Sequence, residues 1–423
     1  MSPKSAALLL PLALVTLPMP AQSNALAPGI NQFGLDLLRE STAAGARGNQ
    51  LLSPYSIEVA LAMAYAGAEG KTREEMQRVL HLPADDAAVT GGFATLAREL
   101  AELQVASRRR SEEMRRYGGA AEPIELNVAN RLFARSGFAL RPAFTTTLRE
   151  QFAAPLQELD FVHAAEPARA AINAWIAHQT HDRIPQLIPA GAIDAATRTV
   201  LANALYLRAA WADAFMSENT RPEPFWVGGT TKVEVATMLQ QEHYLFEQRP
   251  GYAALALPYV GGDLQFVILL PDQRDGLADL ERAVTAELLA GCANLPRRDV
   301  ILRLPKFKLA PPSLPLGARL RGLGMTTAFD RPPGSANFER MAPRTPNNYL
   351  CISEVFHQTW LSLDEKGTEA AAATAVVMAV GSALVREPPP PPIEVRVDRP
   401  FLFAIQHVRS GVCLFLGKVT DPR

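Results

Sequence analysis

Few of the constellations that support catalysis are present in this chain. Gly70-Lys71-Thr72 reads like the end of a phosphate-binding loop, but the glycine required five residues earlier is Tyr65. No G-x-G-x-x-G, H-E-x-x-H or G-x-S-x-G occurs, so nucleotide, zinc-protease and hydrolase-elbow chemistry lose their anchors. His178, His181 and Asp182 lack a third strong metal ligand, and Ser382 and Ser410 have no neighbouring His–Asp pair. The residues therefore give no metal, no cofactor and no catalytic group, and the chain is expected not to be an enzyme.

What remains is a stretch whose chemistry is conformational. Asp364 to Met378 opens with acidic residues and Gly367, is filled by Ala370, Ala371, Ala372 and Ala373, and ends in Thr374, Val376 and Val377. Glycine supplies a hinge. Small side chains let a backbone pass between existing strands. Strand alternation puts Thr368, Ala370, Ala372, Thr374, Val376 and Met378 on one uncharged face, with Glu369 on the other and solvated. The segment suits two states, one exposed and one a sheet strand; its composition alone also suits, and favours, a flexible Ala-rich linker.

The elements around it are legible in outline. Ala27–Arg39, Leu52–Ala68 and Asp85–Arg116 read as helices, with a capping box at Thr72-Arg-Glu-Glu and a helix bearing Trp175 over 171–180. Leu126–Phe133, Thr199–Leu207, and from Tyr252 onward 254–257, 264–270, 300–309, 401–408 and 411–419 read as strands. There is no regular βαβ alternation, which predicts an α+β fold with antiparallel or mixed sheets. Five prolines, Pro388–Pro392, predict a long extended loop between Leu363 and Phe401. Forty-two Lys and Arg balance 43 Asp and Glu, so no nucleic-acid or membrane partner follows from charge. Arg108, Arg109, Arg110, Arg115 and Arg116 are interleaved with Glu112 and Glu113 and read as a solvated helix face. Cys292, Cys351 and Cys413 read as buried free thiols.

Lys4, the apolar run Ala6–Met19 and the small residues up to Ala25 have the pattern of a secretory signal peptide, with cleavage after Ala21 or Ala25. This predicts a secreted protein, extracellular or periplasmic if the source is Gram-negative, with no membrane attachment after removal of residues 1–25.

The chain resembles the serpin family of serine protease inhibitors. The resemblance rests on Ser53-Pro-Tyr-Ser56, Asn130-Arg-Leu-Phe133, Asn203-Ala-Leu-Tyr-Leu to Trp211, Leu304-Pro-Lys-Phe-Lys308, Ile352-Ser-Glu-Val-Phe-His357, Glu365-Lys-Gly-Thr-Glu-Ala-Ala-Ala-Ala-Thr374 and Pro400-Phe-Leu-Phe403. It implies three β-sheets with eight or nine helices, one domain over 26–423, and an exposed reactive-centre loop over 365–399. It also implies shutter residues Ser53, Ser56, Asn203 and His357, with Trp211 where the loop enters. The implied mechanism is suicide inhibition, in which a cleaved loop inserts into the central sheet. Thr368 to Val380 would span about 43 Å as a strand. Counting from Glu365 puts the reactive bond at Gly381–Ser382, with Val380–Gly381 as the alternative. The expected partner is an elastase- or subtilisin-like serine protease, met by a monomeric inhibitor. The competing reading is a non-inhibitory serpin acting as a binding or chaperone protein.

Overall fold

The computed structural model describes residues 24–45, 47–117, 122–154, 156–346, 348–369 and 390–423. Residues 1–23 of the proposed signal peptide, Ala370 to Thr374 and both candidate reactive bonds lie outside them. The helices are α1 (Ala27–Ala43), α2 (Pro54–Gly67), α3 (Gly70–Val79), α4 (Asp86–Arg116), α5 (Pro142–Gln151), α6 (Ala165–Gln179), α7 (Leu277–Ala283), α8 (Ala286–Gly291) and α9 (Gly317–Gly322). The strands are β1 (Gln50–Leu52), β2 (Glu125–Arg135), β3 (Gln157–Leu159), β4 (Thr199–Ala210), β5 (Arg221–Val227), β6 (Thr231–Arg249), β7 (Tyr252–Pro258), β8 (Leu264–Pro271) and β9 (Arg297–Pro305). They continue with β10 (Phe307–Leu309), β11 (Leu314–Pro315), β12 (Ile352–Thr359), β13 (Leu361–Asp364), β14 (Gly367–Thr368), β15 (Ile393–Arg396), β16 (Phe401–His407) and β17 (Val412–Val419).

Among the described residues the strands form two hydrogen-bonded ladders. The larger runs β1-β17-β16-β8-β7-β6-β9-β15, with β5 on β6. Two of the expected sheet surfaces are fused in it through β6, whose first part pairs with β5 and β9 and whose end pairs with β7. The second ladder runs β10-β13-β14-β4-β12-β11, with β2 and β3 joined to β4.

β4 is the axis of that second ladder. Its twelve residues are almost all buried, as a continuous apolar run requires of a strand covered on both faces. On one face Leu201, Leu205 and Leu207 join the main core with α2. On the other, Val200, Ala202 and Ala204 join Phe356 and the α6 residues Ala168, Ile172 and Ile176. α6 carries these at i, i+4 and i+8, so one stripe of the helix lies on the sheet.

Three local expectations are corrected. Thr72 is not an N-cap: it sits inside α3, and its hydroxyl accepts from Asn337 N at 3.0 Å. Glu75, the acid of that pattern, accepts from the Thr326 and Thr327 amides instead. The stretch from Leu363 to Phe401 is not loop at its described ends, which form β14 and β15. The arginines of α4 lie mostly in solvent as expected, except that Arg110 reaches Asp263 at 2.8 Å. All three thiols are free; Cys292 and Cys413 are buried and Cys351 half-buried.

Candidate functional site

The site is a fork in the second ladder. β12 runs parallel to β4, with Phe356 opposite Ala202 and Thr359 opposite Leu205. Beyond Trp360 the two strands part. Their separation is filled by β14, which pairs antiparallel with β13 on one side (Leu363 with Thr368) and with β4 on the other (Thr368 with Ala209). The segment singled out by its small residues thus starts as a short strand wedged between two others.

Each described residue of that segment is fixed by a specific contact. Glu365 is buried, where its carboxylate accepts from Thr220 Oγ1 at 2.7 Å and pairs with Lys306 Nζ at 2.8 Å. Burial alone would raise its pKa, but Lys306 and Thr220 hold it below the usual carboxylate range. Gly367 has φ +146°, and a Cβ there would sit 2.2 Å from Ala209 O, so only glycine lets the backbone pass this close to β4. Thr368 is fully buried and shares a 2.6 Å hydrogen bond with the Tyr259 hydroxyl. Trp211 stacks on Tyr259 at 4.7 Å, donates Nε1–H to Asp364 O and takes Lys366 O on its amide. It therefore borders the wedge, where sequence reasoning expected it. Glu369 corrects the expectation of a solvated acid: its side chain is 11% exposed and is paired with Arg183.

Below the fork, a polar cluster ties β12 to β4. His357 Nε2 accepts from Ser53 N at 3.1 Å, so Nδ1 carries the proton and donates to Asn203 Oδ1. Asn203 Nδ2 donates to Ser56 Oγ at 2.6 Å and to Asn130 Oδ1. Ser56 Oγ donates to Asn130 Oδ1 at 2.9 Å, and Asn130 Nδ2 returns to Ser56 O at 3.0 Å. Ser53 is the N-cap of α2, accepting from Ser56 N through its side chain. Ser53, Ser56, Asn203 and His357 are therefore brought together as expected. Asn130 is the member that sequence reasoning missed as a site residue, although it opens a quoted motif.

Burial pushes the His357 pKa down to about 3 from 6.5. The folded state thus holds a neutral imidazole, and its contribution is fully present above about pH 6.5. It is lost as pH falls from there toward 3, because the unfolded chain then binds the extra proton. We expect the unfolding free energy, read from denaturant titrations, to drop across this window by up to about 1.4 kcal/mol per pH unit from this residue. His357→Gln should flatten the slope; an unchanged slope would remove the imidazole as its source.

A family model described as "Serpin (serine protease inhibitor)" matches residues 28–422. A leukocyte elastase inhibitor of Xenopus tropicalis is 36% identical over 404 residues, covering 94% of this chain and 99% of the relative. Serpin B10 of Otolemur garnettii is 35% identical over 406 residues, with the same shares. Among solved structures, Serpin48 of Tenebrio molitor aligns with a TM-score of 0.78 at 27% identity, over 95% of this chain and 99% of that one. Uncleaved ovalbumin aligns with a TM-score of 0.75 at 26% identity, over 94% and 100%. These likenesses bear out the expected α+β fold.

The same relatives overturn the expectation of a signal peptide and of a secreted, extracellular or periplasmic protein. Leukocyte elastase inhibitor and serpin B10 are intracellular and lack signal peptides. The apolar run Ala6–Met19 is interrupted by Pro11 and Pro18. Among the described residues no helix is long and apolar enough to cross a membrane.

Proposed function

The chain belongs to the serpin family, and on that premise we propose that it is a suicide inhibitor of serine proteases. The observation that carries this is the wedge: Gly367 and Thr368 already form a strand antiparallel to both neighbours, at the point where β13 leaves β4. The protease serine attacks the carbonyl of the residue before the reactive bond, forming an ester and releasing the next residue's amine. The inhibitor supplies no catalytic group; the protease performs the chemistry on itself. The freed loop then extends the wedge downward as a new strand, carrying the esterified protease with it.

The two registers of β14 support a definite inserted state. Continued past Thr368, they bring Ala371 between Tyr206 and Trp360, and Ala373 beside Ala204. Thr374 comes between Asn203 and His357, and Ala375 between Ala202 and Phe356. The alanines at 371, 373 and 375 belong to the face that α6 covers, where little volume is free. Thr374 belongs to the inner face, where its hydroxyl can replace the Asn203–His357 hydrogen bond that insertion breaks. Partners on β4 end at Met378, opposite Thr199, the first residue of that strand. A reactive bond just beyond this ladder, Gly381–Ser382 or Val380–Gly381, is favoured over one at Leu384 or Arg386. Small residues at such a bond suit an elastase- or subtilisin-like pocket. We read residues 26–423 as one domain acting as a monomer, with no nucleic-acid or membrane partner.

The test is to mix the protein with elastase, subtilisin, chymotrypsin and trypsin. A complex that survives denaturing electrophoresis with at least one of them is expected, and the mass of the released C-terminal peptide fixes the bond. Cleavage by every enzyme with no complex would favour the non-inhibitory alternative.

A further inference from the structure

We propose that Arg183 is a positioning residue for the reactive loop: its ion pair with Glu369 latches the loop at its branch point and opposes insertion. This rests on the insertion reading above. The ladder's last rung is Glu369 N donating to Ser362 O at 2.9 Å. At Glu369 the backbone then takes φ +49°, a left-handed conformation that costs a non-glycine residue about 1 kcal/mol and ends the extended strand. Something must hold it there. The Glu369 carboxylate is nearly buried and has one hydrogen-bonded cation, the Arg183 guanidinium, on Oε1, with the Tyr206 hydroxyl as a neutral neighbour. Arg183 comes from the segment joining α6 to β4, and it is itself seated over the Trp360 ring at 4.9 Å, at the fork. Two residues before it, His181 packs against the Tyr206 ring at 4.9 Å, tilted by 55°, and pairs with Glu125. The loop's exit and the cover of the opening therefore share one anchor.

Insertion requires Glu369 to return to an extended conformation. Its cross-strand neighbour on β4 then becomes Arg208, which in this state pairs with Glu122 and Glu125 at 3.1 Å each. The carboxylate exchanges one cation for another, so Arg183 favours the loop-out state and Arg208 the inserted one.

The experiment holds the uncleaved full chain at raised temperature and follows the loss of its protease-cleavable form, which reads spontaneous insertion. Arg183→Ala should speed this about fivefold, the size expected of a half-buried pair near 1 kcal/mol, and Glu369→Gln, which also forfeits Arg208 in the inserted state, should speed it less. Together they should do no more than either alone, Arg183→Lys should restore most of the delay, and Arg208→Ala should lengthen it. Equal acceleration by Arg183→Ala with and without Glu369, or none at all, overturns the latch. Should Arg183→Ala fail to fold, Glu369→Gln and Arg183→Lys still decide it. Wild-type cleavage that brings no gain in melting temperature would instead remove the insertion reading itself.

Discussion

Thr374→Arg is expected to turn the inhibitor into a plain substrate. The protease should cleave it at the parent rate, yet no covalent complex should survive on a denaturing gel. In the inserted strand this residue lies on the inner face between Asn203 and His357, both buried to 1% exposure or less. An unpaired guanidinium there costs several kcal/mol, enough to stall insertion while the ester hydrolyses. The parent itself should gain stability on cleavage. About ten new hydrogen-bonded residues at roughly 1 kcal/mol each, and about 2 °C per kcal/mol, give a rise on the order of 20 °C. Thr374→Arg should lose most of that rise. A trapping-competent Thr374→Arg protein would show that the strand stops short of the Asn203–His357 pair.

The second large effect is expected at Glu58. It lies inside α2, fully buried, and neither carboxylate oxygen has a hydrogen-bond partner among the described residues. Burial alone raises its pKa well above the normal range. A carboxyl that stays protonated when folded but ionises when unfolded contributes stability below about pH 4.5, which is lost as pH rises. Glu58→Gln, and more so Glu58→Leu, should therefore stabilise the native state at pH 7 by about 2 kcal/mol or more, read from denaturant midpoints. The two buried groups also oppose one another. Between about pH 4.5 and 6.5 His357 makes stability rise with pH while Glu58 makes it fall. Removing Glu58 should steepen the acid dependence that His357 causes. A Glu58→Gln protein no more stable than the parent, with an unchanged pH profile, would mean that water or a shifted side chain already satisfies this acid.

Strong, local patterns were legible before the structure. The buried run at β4 and the apolar strands β8, β16 and β17 declare themselves, whereas the small-residue segment alone also fits a flexible linker and reads as an inserting strand through the family resemblance. β5 and β6 were not foreseen, although β6 spans nineteen residues, because Thr231–Arg249 is rich in Glu and Gln and exposes much of one face. Of the polar cluster, four members followed from a family resemblance and none from spacing, since Ser53, Asn203 and His357 are far apart in the chain and meet only through tertiary packing. The wedge at Gly367 and the burial of Glu369 depend on a backbone turn and a distant arginine, neither of which a local window contains.

The pairing offsets around the fork have a mechanical consequence. The β14 offsets to β13 and to β4 together equal the existing offset between β12 and β4. The two outer strands can thus be parted and rejoined to a newcomer without sliding past each other. Each step exchanges one parallel rung for two antiparallel ones, which are individually at least as strong. Once past the Glu369 latch, the motion would be a zipper on fixed rails, unable to skip a tooth. A single ill-fitting tooth therefore halts it at a depth set by that residue's position, and that depth decides how far the captive enzyme is drawn.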